Sequence, residues 1–131
     1  MGYKEDIAIN QHELEEELTE QPFLYMQYAE KYAKAVQKRD YVEDYIRVLK
    51  SQLFMEAKDD WKSIWGHKPT ENEIKSWVET NDKLNKEREN LIQANYNVNM
   101  YFALLQAFQQ RKSILSSLVQ LKISGIHSTP K

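Results

Sequence analysis

Apolar residues recur every three or four positions along two long stretches of the chain, as they do on the buried face of an amphipathic helix. The first stretch runs from Pro22 to Trp65, and the second from about Asp82 to Ser124. Neither contains a glycine, and the only proline is Pro22, at a position that suits the first turn of a helix. The pattern therefore predicts an all-α protein with long helices over 22–65 and 82–124.

The residues between the two stretches predict a compact tip over 66–81. Gly66 and Pro69 break the first helix, and Thr70 with Glu73 forms a capping-box pattern that starts a short helix. Thr80-Asn81-Asp82 indicates a second break, with a continuous helix as the alternative. Two helices of matched length joined by such a tip predict a long antiparallel, coiled-coil-like hairpin. In the expected register, residues 38–39 lie opposite residues 109–110.

The two ends of the chain differ from this central region. Residues 1–21 form an acidic N-terminal segment, in which Asn10 is placed to cap a short helix with Glu13 three residues on. Pro22 is expected to end that helix, since proline disfavours a helical residue before it. Residues 125–131, which begin at Gly125, are expected to form a flexible tail. The predicted hairpin thus occupies residues 22–124.

The second long helix carries a seven-residue repeat that is typical of a coiled coil. The repeat has polar interruptions, among them Lys112, where a charge on a packed face needs a partner. The first position of each seven-residue repeat is occupied in turn by Leu84, Leu91, Val98, Leu105, Lys112 and Val119.

The same helix has no charged residue from Asn90 to Gln110, where eight amides accompany the apolar residues. A solvated helix face normally carries lysine and glutamate, and a small two-helix hairpin is marginally stable alone. An uncharged face suits contact between identical copies, because amides hydrogen-bond where like charges would repel. The sequence therefore predicts a homo-oligomer; a solvated Asn/Gln-rich face is the alternative. The expected interface residues are Leu91, Val98, Tyr101, Phe102, Leu105 and Phe108.

The net charge of −2 conceals an uneven distribution. Residues 1–20 hold seven acids and one base, and no acid occurs after Asn90. An acidic end joined to a basic body suggests an anionic partner for the body. The first candidate binding site lies where the expected register brings basic residues together, and a structural layer of salt bridges is the alternative there. Its members are Lys31, Lys38, Arg39, Arg111 and Lys112.

A second candidate binding site lies at the tip, where lysines alternate with tryptophans. Lys58, Lys62 and Lys68 would neutralise phosphates, and Trp61 and Trp65 would stack on bases, as single-stranded DNA requires. The alternative is that these tryptophans form a small core that closes the tip. Asp59 and Asp60 also weaken the positive field there.

No catalytic or metal-binding constellation is present in the sequence. The chain has no cysteine, and its three histidines are far apart. It also lacks a phosphate-binding glycine loop. We therefore expect no catalytic residue, no metal, no cofactor and no enzymatic activity. No apolar run is long enough for a membrane span and no signal peptide precedes the first helix, so a cytoplasmic location without membrane contact is expected.

Three short motifs in this helical background resemble phage UvsY-like recombination mediators. They are Pro22-Phe23-Leu24-Tyr25 followed by Tyr28-Ala29 and Ala33; Lys68-Pro69-Thr70-Glu71 leading to Ile74; and the run 107–115 with the sequence AFQQRKSIL. The resemblance covers about residues 10–122.

The resemblance implies a ring-shaped homo-oligomer that binds single-stranded DNA. Such mediators help a RecA-like recombinase to displace single-strand-binding protein and to begin its filament. In the family, basic residues late in the first long helix take part in DNA binding, a location that Lys58 and Lys62 share. For a phage protein the location becomes the host-cell cytoplasm. Two other functions remain open: an oligomeric phage assembly or scaffolding protein without DNA binding, and a small helical inhibitor of a host protein.

Overall fold

The structure, a computed structural model, describes the backbone of residues 2–128 and the side chains of residues 2–125. Five helices follow one another along the chain, and no strand occurs among the described residues, which confirms the predicted all-α class. None of the described helices is long and apolar enough to cross a membrane. The helices are α1 (Tyr3–Ile7), α2 (Leu14–Asp59), α3 (Trp61–Ile64), α4 (Glu71–Glu79) and α5 (Asp82–Ser128).

Helix α2 begins at Leu14 and passes through Pro22, where the sequence predicted a boundary. Proline removes one intrahelical hydrogen bond, so packing must hold the helix together at this point. Leu14, Gln21 and Tyr28 are buried at seven-residue intervals on both sides of the exposed Pro22. The Gln21 side-chain amide also donates a 2.7 Å hydrogen bond to the Phe108 carbonyl. Tertiary contacts therefore override the local preference for a break.

The short helix expected between Asn10 and Pro22 is the first part of α2, and a separate helix that the sequence did not predict, α1, precedes it over Tyr3–Ile7. Asn10 does not cap α2; its side-chain oxygen accepts from the His12 backbone N–H at 3.0 Å and shapes the turn that leads into α2. A short polar side chain serves a turn as readily as a helix cap, and for this reason the sequence pattern was ambiguous.

Helix α2 ends at Asp59, before the predicted end at residue 65. Asp60 departs from helical geometry, and the single turn α3 follows it. Gly66 then adopts a positive φ of 75°, and its N–H donates to the Trp61 carbonyl at 3.2 Å. This left-handed conformation favours glycine and terminates the turn.

The two predicted helix starts at the tip are confirmed. The Thr70 hydroxyl accepts from the Glu73 N–H at 3.2 Å, while a Glu73 carboxylate oxygen accepts from the Thr70 N–H at 3.1 Å. Asn81 caps α5 by accepting from the Lys83 and Leu84 N–H groups at 2.9 and 3.3 Å. Helix α5 continues through Gly125 to Ser128, and residues 129–131 of the predicted tail lie outside the described residues.

Contacts divide the chain into two units, each with its own core. Unit 1 comprises Met1–Lys34 with Asn99–Lys131, and unit 2 comprises Ala35–Val98. In unit 1, Tyr28, Leu104 and Phe108 are buried together, and the Tyr28 and Phe108 ring centroids are 4.7 Å apart. The core of unit 2 joins the later part of α2 to α4 and to the start of α5. Its buried members are Val42, Ile46, Leu49, Leu53, Ala57, Ile74, Val78 and Leu84.

Candidate nucleic-acid interface

The tip of unit 2 exposes the lysines that the sequence assigned to DNA. Lys58 lies in the last turn of α2, Lys62 in α3 and Lys68 in the loop before α4. All three side chains are exposed, and none forms an ion pair within the described part of the chain. Each ammonium group is therefore free to contact a phosphate.

The three tryptophans do not behave alike. Trp65 and Trp77 pack on the unit 2 core with ring centroids 6.0 Å apart, as expected of a small structural cluster. Trp61 is half-buried outside that cluster, and the Lys62 ammonium lies 5.7 Å from its ring centroid. The alternative that the tryptophans form a small core therefore holds for Trp65 but not for Trp61. The Trp61 ring remains partly accessible beside a cation.

Acidic side chains share this surface with the lysines. Glu56, Asp59 and Asp60 are exposed, and none of them has an ion-pair partner among the residues described. Their charges oppose the field of Lys58 and Lys62. These three acids balance the three lysines, so the tip is a cation–aromatic surface without a net positive charge.

Glu73, also at the tip, is engaged in local structure. The Thr70 N–H, together with the His67 side chain at 3.0 Å, lowers the pKa of the Glu73 carboxyl. A lowered pKa means that its contribution to stability is present above the ordinary range for glutamate. That contribution is lost as the pH falls through the lowered pKa. Glu73 thus stabilises the start of α4 at neutral pH.

Arg111 is buried and belongs to the interior of unit 1, although the sequence assigned it to DNA binding. Arg111 is 3% exposed. Its guanidinium donates hydrogen bonds to the Ile7 carbonyl at 3.0 Å and to the Ala8 carbonyl at 3.3 Å. The same group binds the Gln21 side-chain oxygen and the Glu17 carboxylate. Its donors are thus taken up inside the fold, which removes Arg111 from the candidate DNA site.

The sequence contains a signal for this buried arginine. Phe108, Arg111 and Leu115 are spaced by three and four residues and are all buried. The seven-residue repeat instead placed Lys112 on the packed face, whereas the structure leaves Lys112 exposed. Phe108 and Leu115 keep the seven-residue spacing, whereas the neighbouring buried positions are Leu104 and Arg111, each one residue before the predicted Leu105 and Lys112. The missed partners, Glu17 and Gln21, are distant in sequence.

The remaining residues of the first candidate site belong to both units. In unit 1, the Lys31 ammonium lies 4.7 Å from the centroid of the Tyr28 ring. In unit 2, Lys38 is exposed, and Arg39 forms a 3.1 Å ion pair with Asp40. The expected register is also wrong, because Gln109 contacts Tyr25 at 3.4 Å rather than residues 38–39.

Tyr28 holds the N-terminal helix on unit 1. Its hydroxyl donates a 2.6 Å hydrogen bond to the Asp6 carboxylate. Burial, followed by this hydrogen bond, raises the pKa of Tyr28 to about 12. The neutral phenol therefore stabilises the fold below the ordinary tyrosine pKa, and this contribution is lost as the pH rises toward the raised value.

The predicted oligomer residues divide into buried and exposed ones. Val98 is 5% exposed and Phe108 is fully buried, so neither is available for contact between copies. Leu91, Tyr101 and Leu105 are half-buried against the cores of their own units. Phe102 alone of the six is exposed. The seven-residue pattern thus largely described packing within the chain, since both kinds of packing bury the same spacing.

Other large apolar side chains on the long helices face outward instead. In unit 2 they are Tyr41, Tyr45, Val48 and Met55 on α2, with Ile92 and Tyr96 on α5. In unit 1 they include Phe23 and Met26 on α2, and Met100, Ile114 and Leu121 on α5. Where such side chains form a continuous patch, they mark a surface that binds another protein.

The chain matches no protein-family model, no characterised protein and no solved structure.

Proposed function

We propose that this protein is a single-stranded-DNA-binding recombination mediator that works as a homo-oligomer. The observation that carries the proposal is the half-buried Trp61 ring with the Lys62 ammonium 5.7 Å from its centroid and the exposed Lys58 nearby. Single-stranded DNA is bound by this combination of stacking and phosphate neutralisation. The expected partners are single-stranded DNA, a RecA-like recombinase and single-strand-binding protein, as the resemblance to UvsY-like mediators implies.

A long antiparallel hairpin is part of the proposal. It is supported by the order of contacts in unit 1, where Tyr28 pairs with Phe108 and Tyr32 with Phe102. As residue numbers rise along α2, those of the contacting residues fall along α5.

Oligomerisation would compensate for the modest charge of each tip. A ring presents many copies of one weak site to a single strand, and linked weak contacts give high overall affinity. Each contact also remains sensitive to salt. Binding of this kind is reversible, as a protein that passes DNA to a recombinase requires. The exposed apolar side chains of α2 and α5, including Ile92 and Tyr96, support assembly into such an oligomer.

The experiment is a salt titration of binding to a fluorescein-labelled oligo-dT, followed by fluorescence anisotropy. The double variant Lys58→Gln/Lys62→Gln should reduce the slope of log K against log salt by about 1.4, because each lost phosphate contact accounts for about 0.7. Lys83→Gln/Lys86→Gln removes the same charge from exposed positions of α5 in the same unit and should leave the slope nearly unchanged.

Two outcomes would contradict the proposal in different ways. If the protein does not bind the oligonucleotide at low salt, the mediator function is wrong. If it binds with an unchanged slope in Lys58→Gln/Lys62→Gln, the DNA site lies elsewhere, with Lys31, Lys38 and Lys112 as the exposed alternatives. Trp61→Phe should weaken binding more than Trp77→Phe, since Trp77 packs on the core.

A structural oligomer without DNA binding is the second candidate. The exposed acids Glu56, Asp59 and Asp60 favour it, because they offset the lysines of the tip. A phage assembly or scaffolding role would need the outward apolar surfaces but no DNA site. An oligomer that ignores oligo-dT in the titration would establish this candidate.

A further inference from the structure

Unit 1 contains a cavity of about 410 Å³ between α2 and α5. Its walls are mainly apolar and include Leu18, Pro22, Tyr25 and Met26 from α2. Ser116 lines the side formed by α5, where a larger residue would fill the space. The volume is sufficient for a bulky apolar group, and cavities of this size commonly bind one.

The two amide side chains that line the cavity are already hydrogen-bonded. The Gln21 amide is held by the Phe108 carbonyl and by Arg111, and the Gln109 amide donates to the Tyr25 hydroxyl at 3.4 Å. Lys112 lines the cavity but has no hydrogen bond or ion pair with any residue described. The occupant that fits is therefore an apolar side chain with an acidic group beside it.

Phe23, on the same stretch of α2, is an apolar side chain of the kind that this cavity would accept. It is 74% exposed, the largest exposed fraction of any large hydrophobic residue among those described. A shallow depression runs along Phe23, Met26, Ala29 and Ala33, and Met26 also lines the cavity. The two alanines leave room for a second helix to approach closely.

Acidic residues flank Phe23, and the basic residue Lys112 lines the cavity. Glu20 and Glu16 precede Phe23 by three and seven residues, which places them on its side of the helix. Both are exposed and without an ion-pair partner in the described part of the chain. An apolar side chain flanked by acids thus lies next to an apolar cavity flanked by a base.

We propose that unit 1 binds unit 1 of a second copy, with Phe23 of each copy inserted into the cavity of the other and Glu20 paired with Lys112. Because the side chain and the cavity lie on the same stretch of α2, a two-fold axis satisfies both contacts at once. This inference rests on the proposed homo-oligomer and names one of its contacts. A ring assembled from such pairs contains an even number of subunits.

The first test is the native mass of the full chain, measured by light scattering and native mass spectrometry. Phe23→Ser should at least halve the mass without loss of helical circular dichroism, since the residue is exposed. Tyr3→Ser is the control, because Tyr3 is an exposed aromatic residue of unit 1 that lies on α1 and does not line the cavity. The control should keep the wild-type mass.

The second test exchanges the charges. Glu20→Lys and Lys112→Glu should each reduce the mass, and the double variant Glu20→Lys/Lys112→Glu should restore it. If Phe23→Ser and Lys112→Glu keep the wild-type mass, the cavity has another occupant and the pairing is wrong. An odd number of subunits, or failure of the double variant to recover the mass, would equally overturn it.

Failure of this inference can be told apart from failure of the proposed function. A wild-type protein that is monomeric at all concentrations contradicts the proposed oligomer itself. An oligomer that is insensitive to Phe23 and Lys112 contradicts only the pairing. Binding to oligo-dT, measured on the same samples, reports separately on the DNA site.

Discussion

At the scale of single residues, Arg111 shows how burial decides the role of a charge. Five basic residues formed the first candidate DNA site, and all five carry a positive charge at neutral pH. Arg111 differs because its guanidinium meets two backbone carbonyls, an amide oxygen and a carboxylate inside unit 1. A planar group with five donors suits such a site, and a lysine could not replace it.

Arg111→Met should lower the free energy of unfolding by about 3 kcal/mol, because it leaves the partly buried Glu17 carboxylate without its partner. Urea denaturation followed by circular dichroism measures this change. Lys122→Met, an exposed position on α5, is the control and should alter stability by less than about 0.5 kcal/mol. Equal effects of the two substitutions would show that the Arg111 cluster does not hold unit 1 together.

At the scale of helices, the sequence predicts helix ends that depend on neighbouring residues. It does not predict where tertiary contacts carry a helix through a residue that favours a break. The capping box of Thr70 and Glu73 and the break at residues 80–81 involve only neighbouring residues, and both appear as expected. The passage of α2 through Pro22 depends on Gln21 and Tyr28 packing against Phe108, which is 80 or more residues away in sequence. No local pattern contains that information.

Thr70→Ala should lower the stability of the protein by about 1 kcal/mol, because it removes the acceptor for the Glu73 N–H. Thr70→Ser keeps that acceptor and should behave like the wild type. Thermal or urea unfolding provides the measurement. A loss in Thr70→Ser as large as that in Thr70→Ala would argue against the cap as the cause.

At the scale of the whole molecule, the outward apolar side chains are the observation on which the proposed oligomer depends. Ile92 is 70% exposed in the uncharged part of α5. If this surface contributes to the oligomer, the wild-type melting temperature should rise with protein concentration, since association stabilises the folded state by mass action.

Ile92→Glu should reduce the native mass and remove this concentration dependence, because it places a charge in an apolar contact. Asn72→Glu adds the same charge to an exposed position on α4 and should leave both properties unchanged. A wild-type mass in Ile92→Glu would exclude this part of α5 from the contact between copies.

The sequence by itself determined the helical class, the tip and the caps of α4 and α5. It could do so because helix periodicity, glycine, proline and capping residues act over three to seven neighbouring positions. Only the tertiary structure decided which cation is buried, which tryptophan remains accessible and how the residues of unit 1 are paired. Those properties depend on contacts between residues such as Glu17 and Arg111, whose separation in the chain exceeds the reach of any local pattern. The long helices are therefore a property of the sequence, while the side chains that those helices leave exposed are a property of the fold.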